Sequence, residues 1–356
     1  MSQALTLSSL PLFPLNSVLF PGGVLGSEKE VVEQTQIGAI QIARISLGIL
    51  GPVVPDVNVF NMPFVFRDEA HMRAVIDGPV GKDILDKITN SPARLVALGW
   101  MDSGSRSLYT KKEIKSPADL KGLKIRVMGN PLFVDTMNAM GGNGITMGHN
   151  DTYSALQTGV VDGAENNPPT LFTANHYSTG VKFYTQTTHL IIPEIFVMSK
   201  VSWDKMNKDD QASLMKFARE AQMEQRALWD KSVAEYSAKL QAAGIQFKTV
   251  DKKPFYDATA PVRAKYGSQY AELIKRIEAV KMSEFYTLGT MLGLGRALGE
   301  TIAVYLIISP VFIIQPRILE SGTSSVASLI ALRYGEATNF GTSALMAAGL
   351  TPAQQT

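Results

Sequence analysis

Short apolar runs and amphipathic stretches alternate through the middle of this chain. Apolar residues recur at helical spacing in several stretches, and the predicted helices cover residues 30–41, 69–74, 81–89 and 131–140. Short β-rich runs lie between them, and the predicted strands include residues 94–100 and 124–128. Strands that alternate with helices are typical of βαβ units, so the sequence predicts an α/β fold with mixed or parallel sheets.

A long helix is predicted at residues 207–244. Asn207 or Ser202 suits its N-cap position, and Gly244 suits its end. Its apolar residues recur near helical spacing and predict one packing face, formed by Leu214, Phe217, Ala218, Ala221, Leu228 and Trp229. We expect Trp229 and the nearby Trp203 to belong to the core rather than to a platform for a ligand.

Residues 119–168 place an arginine on a strand ahead of a polar loop. Arg126 lies on the predicted strand at 123–128, and a predicted helix at 153–157 leads through a glycine turn to a short strand that ends at Asp162 and Gly163. An Asn-Asn-Pro loop follows at 166–168. A guanidinium can hold a carboxylate through two charge-assisted hydrogen bonds, and α/β folds often bind small ligands at strand ends. The alternative is a surface arginine that pairs with a neighbouring acid.

Composition narrows the classes of function. The chain has 356 residues, of which 45% are hydrophobic, so it can bury a substantial core. Its net charge of +2 favours neither nucleic acid nor a strongly anionic membrane surface as a partner. The absence of cysteine excludes disulfides, thiol nucleophiles and thiolate metal sites.

Charged residues are distributed unevenly and divide the chain into three parts. Residues 1–27 carry no charged side chain, and lysine and acidic residues are spread evenly from Glu28 to Lys281. After Lys281 there is neither lysine nor aspartate among long apolar runs. We therefore expect three segments, at residues 1–24, 25–282 and 283–356.

The middle segment carries several motifs in the order found in solute-binding proteins of TRAP transporters (the DctP-like family). These motifs are Ser27-Glu-Lys-Glu30, Val59-Phe-Asn-Met-Pro-Phe64, Asp102-Ser-Gly-Ser-Arg-Ser107, Leu123-Lys-Ile-Arg-Val127 and Asp162-Gly-Ala-Glu-Asn-Asn-Pro168. Residues 25–281 thus resemble this family. The resemblance implies a two-lobed periplasmic binding protein, with a long helix bracing the hinge and with no cofactor. Such a protein binds a small carboxylate-bearing solute, an organic acid or a sugar acid, for delivery to TRAP membrane subunits.

The same resemblance implies a set of ligand-binding residues. Arg126 lies where the family holds the solute carboxylate, Arg106 matches its second basic contact, and Asn166 matches a polar partner across the cleft. His149 matches a position where an aromatic ring often packs on the solute, and Ser46 aligns with a further contact. Glu194 follows Pro193 in the sequence, and either contact with the cleft or packing against a neighbouring element suits it.

The first segment differs from its neighbour. Pro11 and Pro14 interrupt its apolar stretch and it lacks a basic start, so it is not typical of a secretory signal. The prolines favour an extended edge strand at residues 10–20. Residues 10–24 resemble the opening strand of the N-terminal domain of Lon-type proteases, and no function carries over. TRAP-type proteins have a strand, a helix and a strand ahead of Leu25, so we expect an incomplete N-terminal lobe.

The last segment resembles a late transmembrane helix of the permease subunit of phosphate ABC transporters, over residues 286–350. Its uninterrupted apolar run at 301–314 would span about 21 Å as a helix, which is shorter than a hydrocarbon core of about 30 Å. A full span would include Arg296 and Glu300, which are costly inside a membrane. We expect possible membrane contact through residues 286–314.

Enzyme motifs are not found. The four histidines are dispersed, with no H-E-x-x-H or paired-carboxylate spacing near them, and no nucleophile elbow or phosphate loop occurs. We expect a binding protein rather than an enzyme. The alternatives that the sequence leaves open are a membrane-anchored transporter component, an enzyme of unknown type, and a non-functional chimera whose joins are natural, designed or artefactual.

Overall fold

Two β-sheets with helices around them form the part of the chain that the computed structural model describes, residues 18–281. The strands are β1 Ile42–Ser46, β2 Leu95–Met101, β3 Ser105–Thr110, β4 Lys124–Val127, β5 Asn143–Thr146, β6 Gly163–Asn166, β7 Phe183–Ile191, β8 Glu194–Ser199 and β9 Gln246–Lys248. The predicted permease-like helix and most of the predicted Lon-like strand lie outside these residues.

Thirteen α-helices occur in the same part of the chain. They are α1 Glu28–Ile37, α2 Leu47–Leu50, α3 Asn58–Asn61, α4 Glu69–Asp77, α5 Pro79–Thr89, α6 Pro131–Ala139, α7 His149–Thr158, α8 Pro168–Thr173, α9 Lys200–Trp203, α10 Lys208–Ala242, α11 Lys253–Ala258, α12 Ala260–Gly267 and α13 Ala271–Ala279. Short 3₁₀ turns lie at Pro55–Val57, Pro117–Leu120, His176–Ser178 and Ser268–Tyr270.

The two sheets form two lobes joined by three crossings of the chain. The first sheet has the order β1-β8-β2 and is antiparallel, whereas the second has the order β5-β4-β6-β3-β7-β9. In the second sheet β4 is parallel to β5 and β6, and β3 is antiparallel to β6 and β7. The chain passes between the sheets at residues 102–104 and 192–193, and again at residues 200–245, which contain α9 and α10. The α/β two-lobed prediction is confirmed, and the mixed sheet is the second one.

Helix ends follow local capping chemistry. Ser27 and Glu30 form a capping box that starts α1 two residues earlier than predicted, and Gly38 ends the helix with a φ of 86°. Asn207 caps α10 by accepting a hydrogen bond from the Asp210 backbone N–H. Of the two predicted starts of the long helix, Asn207 is therefore the one used.

The predicted packing face of α10 is right in part, since Leu214 and Ala218 pack against a hydrophobic cluster beside the first sheet. Phe217 and Leu228 are exposed, and the buried residues of the helix are Gln211, Gln222, Arg226 and Leu240. The helix lies against β2, where Gln222 Oε1 accepts a hydrogen bond from the Trp100 backbone N–H at 3.1 Å. The hydrogen-bonding needs of this sheet edge therefore help to decide which residues of α10 are buried.

The two predicted tryptophan positions are half-buried. Trp203 packs on a small cluster around Val96, Leu98 and Met198 beside the first sheet. The indole of Trp229 faces the crossing at residues 102–104, close to Gly104. Neither ring belongs to the larger cores, which are built around Trp100 and around Tyr109.

Residues 18–27 precede the first helix. Val18, Leu19 and Phe20 belong to no strand and are exposed, so the described end of the predicted strand at 10–20 is not β structure. Strand β1 is an edge of the first sheet among the described residues. Within residues 18–281, every helix falls short of the combined length and hydrophobicity that a bilayer-spanning segment needs.

Candidate functional site

Arg126 is a buried cation that has no carboxylate partner among residues 18–281. It lies on β4, between β5 and β6, and only 3% of its surface is exposed. Its Nε and Nη2 donate hydrogen bonds to the Met147 carbonyl oxygen at 3.0 and 2.7 Å. No carboxylate oxygen of the described residues lies within 4.0 Å of its guanidinium. Burial consequently lowers the pKa of Arg126, because the charged form has lost water without gaining an acid.

Arg106 is also buried, but it is fully engaged by its neighbours. Its Nε and Nη2 donate to the Glu165 carboxylate at 2.6 and 3.0 Å, and Nη2 also donates to the Glu165 carbonyl oxygen. Its Nη1 donates to Asn166 Oδ1 at 2.9 Å. Burial alone would lower the pKa of Arg106, yet the charge and hydrogen bonds of Glu165 outweigh it and raise that pKa.

Strand register brings these groups together. Residue Arg126 pairs with Ala164 across β4 and β6, and Ser107 pairs with Asn166 across β6 and β3. The two arginines thus flank the 164–166 stretch on three adjacent strands. Strand β6 runs to Asn166, whereas the sequence predicted a strand ending at Gly163 and a loop after it. Asn166 therefore lies beside Arg106 in one sheet, and its predicted place across the cleft is wrong.

Asn166 retains one unused hydrogen-bonding group. Its Oδ1 accepts from Arg106 and from the Asn167 backbone N–H. Its Nδ2 donates no hydrogen bond to any described residue, although only 6% of the residue is exposed. An amide nitrogen of this kind can donate to a ligand oxygen.

His149 begins α7, two residues after the carbonyl that Arg126 holds. Part of the residue is exposed, and its ring lies 5.7 Å from the ring of buried His176. His176 Nδ1 is 2.8 Å from the Tyr109 hydroxyl, which is fully buried. Partial burial of the ring, together with the charges of Arg126 and Arg106, lowers the pKa of His149 to about 4. The imidazole is therefore neutral at pH 7 and can stack on an apolar face.

Ser46 and Glu194 face each other on β1 and β8 of the first sheet. The Ser46 hydroxyl donates to Met128 Sδ at 3.6 Å, which links the first sheet to the end of β4. Glu194 Oε2 lies 2.6 Å from Arg44 Nη1. Ser46 is thus held near the Arg126 strand, while Glu194 is already engaged by a cation.

Three charged residues near the site were not predicted as part of it. Glu28, at the start of α1, accepts a hydrogen bond from the Ser46 backbone N–H at 3.3 Å. Arg44 pairs with Glu194, and Glu165 pairs with Arg106. Glu28 stands inside the Ser27–Glu30 motif, so the motif itself was the signal that could have identified it.

The six candidate residues therefore occupy two faces. Arg126, Arg106, Asn166 and His149 belong to the lobe of the second sheet, whereas Ser46 and Glu194 belong to the first sheet. In residues 18–281, acidic and imidazole groups form no set of three or more that could hold a metal ion. The arginine and amide groups of the site can therefore recognise an anion.

Comparisons with known proteins agree with this geometry. The sequence profile of the family "Bacterial extracellular solute-binding protein, family 7" matches residues 15–269. A solute-binding protein of Chromohalobacter salexigens is 37% identical over 257 residues, which are 72% of this chain and 76% of that protein.

Two solved structures are similar over most of their length. A TRAP periplasmic solute-binding protein from Pseudomonas putida F1, with bound D-glucuronate, is 68% identical with a TM-score of 0.73, covering 74% of this chain and 85% of that one. Another from Xanthobacter autotrophicus Py2, with bound β-D-galacturonate, is 36% identical with a TM-score of 0.73, covering 75% of this chain and 90% of that one.

Proposed function

Because this chain belongs to family 7 of the bacterial extracellular solute-binding proteins, we propose that it binds a hexuronate and delivers it to TRAP membrane subunits from the periplasm. The two similar structures named above hold D-glucuronate and β-D-galacturonate. Both solutes carry one carboxylate on a ring rich in hydroxyl groups. The proposed binding unit is residues 25–282.

The observation that carries this proposal is the unpaired charge of Arg126. A buried guanidinium without an acid is costly, and a solute carboxylate would supply the missing partner. The hydrogen bonds to Met147 fix the plane of the guanidinium through Nε and Nη2. A fixed, forked donor suits a carboxylate better than a flexible ammonium would.

The other candidate residues have separate proposed roles. Asn166 offers its unused Nδ2 to an oxygen of the solute, and Arg106, held by Glu165, orients that amide. The neutral ring of His149 packs on the apolar face of the sugar. Ser46 and Glu194 provide contacts from the first sheet.

Binding in this geometry favours closure of the two lobes. A solute held by Arg126 and Asn166 on the second sheet gains further contacts only when the first sheet approaches. A ligand that has more contacts in one conformation shifts the population towards it. The two short crossings at residues 102–104 and 192–193 are places where backbone angles can change.

The test is titration calorimetry of the full chain with D-glucuronate and D-galacturonate. Arg126→Ala should lose about 3–5 kcal/mol of binding free energy, a few hundred- to several thousand-fold in affinity, because it removes one member of a buried ion pair. Arg126→Lys should recover little, since lysine cannot form the fork.

Lys124 is the matched control, because it lies on the same strand with its side chain exposed. Lys124→Ala should bind as the unchanged protein does. Equal affinity of the unchanged protein and Arg126→Ala for both acids would refute the proposed role of Arg126.

A further inference from the structure

Ser46 of the first sheet lies between two glutamates, Glu28 on α1 and Glu194 on β8. Glu28 Oε1 accepts from the Ser46 backbone N–H at 3.3 Å, and Glu194 is the strand partner of Ser46 across β1 and β8. Glu194 in turn lies against Arg44, with 2.6 Å between Oε2 and Nη1. The Glu194 side chain is only 12% exposed, and Glu28 is half-buried.

This acidic pair belongs to the same site as Arg126. The Ser46 hydroxyl lies 3.6 Å from Met128 Sδ, and Met128 follows Arg126 by two residues at the end of β4. Burial and then the negative charge of Glu194 raise the pKa of Glu28, while Arg44 and Arg106 act in the opposite direction. Glu28 therefore interacts with charges from both sheets.

The two ends of the site differ in charge. Glu165 compensates Arg106 and Glu194 compensates Arg44. Of these three arginines, Arg126 is the one without a described carboxylate within 4.0 Å. One end of the site thus offers a single uncompensated cation, and the other offers carboxylate oxygens.

We propose that Glu28 and Glu194 form an acidic end of the site that accepts hydrogen bonds from sugar hydroxyl groups and excludes solutes with a second carboxylate. This inference rests on the proposed function, with the one carboxylate of the solute on Arg126. Carboxylate oxygens accept hydrogen bonds from hydroxyl groups. Two carboxylates stand beside one cation, Arg44, at this end of the site, so a second solute carboxylate would meet net like charge. The substrate class is therefore the sugar monoacids and not the sugar diacids.

The experiment compares D-galacturonate with galactarate, in which the other terminal carbon is also a carboxylate. The full chain is titrated with each acid by calorimetry, and the ratio of the two dissociation constants is recorded. We expect the unchanged protein to prefer the monoacid by about 100-fold, because juxtaposed like charges cost several kcal/mol. Glu28→Gln and Glu194→Gln should each lower that ratio about 10-fold, mainly by improving diacid binding.

The ratio of the two dissociation constants distinguishes a change in specificity from a loss of folded protein. A variant that partly misfolds lowers the binding stoichiometry but leaves the ratio of dissociation constants unchanged. The open-chain form of galactarate affects every variant alike, so it cancels when ratios are compared. Glu33→Gln is the matched control, because Glu33 lies on the same helix as Glu28 with its side chain 59% exposed, and its ratio should not change.

The outcomes distinguish this inference from the proposed function. If the unchanged protein binds galacturonate and both glutamine variants keep its ratio, the acidic end is refuted and uronate binding stands. Equal affinity of the unchanged protein for the two acids leads to the same conclusion. Binding of neither acid, nor of D-glucuronate, refutes the proposed function and this inference together.

Discussion

Two arginines on either side of strand β6 have opposite surroundings. Arg106 directs three of its nitrogens to Glu165 and Asn166, whereas the one acceptor that Arg126 has in the described part of the chain is a carbonyl oxygen. Both guanidinium groups are buried. Because Glu165 already neutralises Arg106, this arginine gains little from an incoming anion, and its proposed role is to orient Asn166. An uncompensated cation instead gains most when that anion arrives.

The Arg106–Glu165 pair should contribute strongly to stability. Glu165→Ala would leave Arg106 buried without its acid, so we expect the free energy of unfolding to fall by about 3–5 kcal/mol. Urea denaturation measures this change. Glu272→Ala is the control, because Glu272 pairs with Lys275 on the surface and such pairs contribute about 0–1 kcal/mol. If the free energy of unfolding falls by similar amounts in the two variants, the buried pair stabilises the fold no more than the surface pair does.

At the scale of elements, helix α10 and the first chain crossing form one assembly. Gln225 accepts from the Asp102 backbone N–H and donates to the Asp102 carbonyl oxygen, both at 2.9 Å. The Asp102 carboxylate contacts Arg73 and lies 3.5 Å from Arg226 Nε. The crossing at residues 102–104 is therefore fixed against the long helix by charges as well as by backbone hydrogen bonds.

Gly104 tests how tightly this crossing is packed. It has a φ of +63°, and an added Cβ would lie 2.9 Å from Trp229 Nε1. Gly104→Ala should cost about 1–2 kcal/mol for the backbone angle and about 1–3 kcal/mol more for the steric overlap. Thermal and urea unfolding measure the loss.

An alanine at Gly122 measures the cost of the backbone angle without the steric overlap. Its φ is +81°, but no atom lies within 4 Å of an added Cβ. Gly122→Ala should therefore show only the backbone cost of about 1–2 kcal/mol. If both alanine variants lose the same stability, the contact between the crossing and Trp229 does not restrict Gly104.

At the scale of the whole molecule, buried histidines link stability to pH. Burial is the largest cause that lowers the pKa values of His176 and His189 to about 4, from an ordinary value of 6.5. His189 Nε2 is buried and has no hydrogen-bond partner among the described residues. Between pH 6.5 and 4 the unfolded chain binds more protons than the folded chain, so the free energy of unfolding falls as the pH is lowered.

His189→Gln should weaken that pH dependence. The variant cannot take up the proton in the unfolded state, so its loss of stability between about pH 7.5 and about pH 5 should be smaller by roughly 1–3 kcal/mol. Urea denaturation at both pH values gives the difference. Carboxylates with lowered pKa values, such as Asp119, change the free energy of unfolding only at lower pH, so they do not affect this comparison. An identical loss in both proteins would contradict the assignment to His189.

Some features follow from the sequence because they depend on near neighbours. Alternating strands and helices, the caps at Ser27 and Asn207, and the place of Arg126 on a strand all rest on residues a few positions apart. The resemblance carried by the motifs around Arg126 and Asn166 identified the family for the same reason, since short motifs survive in linear order. Local chemistry was sufficient for these predictions.

Other features exist only in the folded molecule. Glu165 meets Arg106 across 59 positions of the chain, and Asn166 stands beside that arginine because β6 pairs with β3 in one particular register. The buried face of α10 is polar because β2 presents backbone groups that need partners. Periodicity along one element cannot reveal such pairings, because strand register and interelement contacts are set by distant parts of the chain.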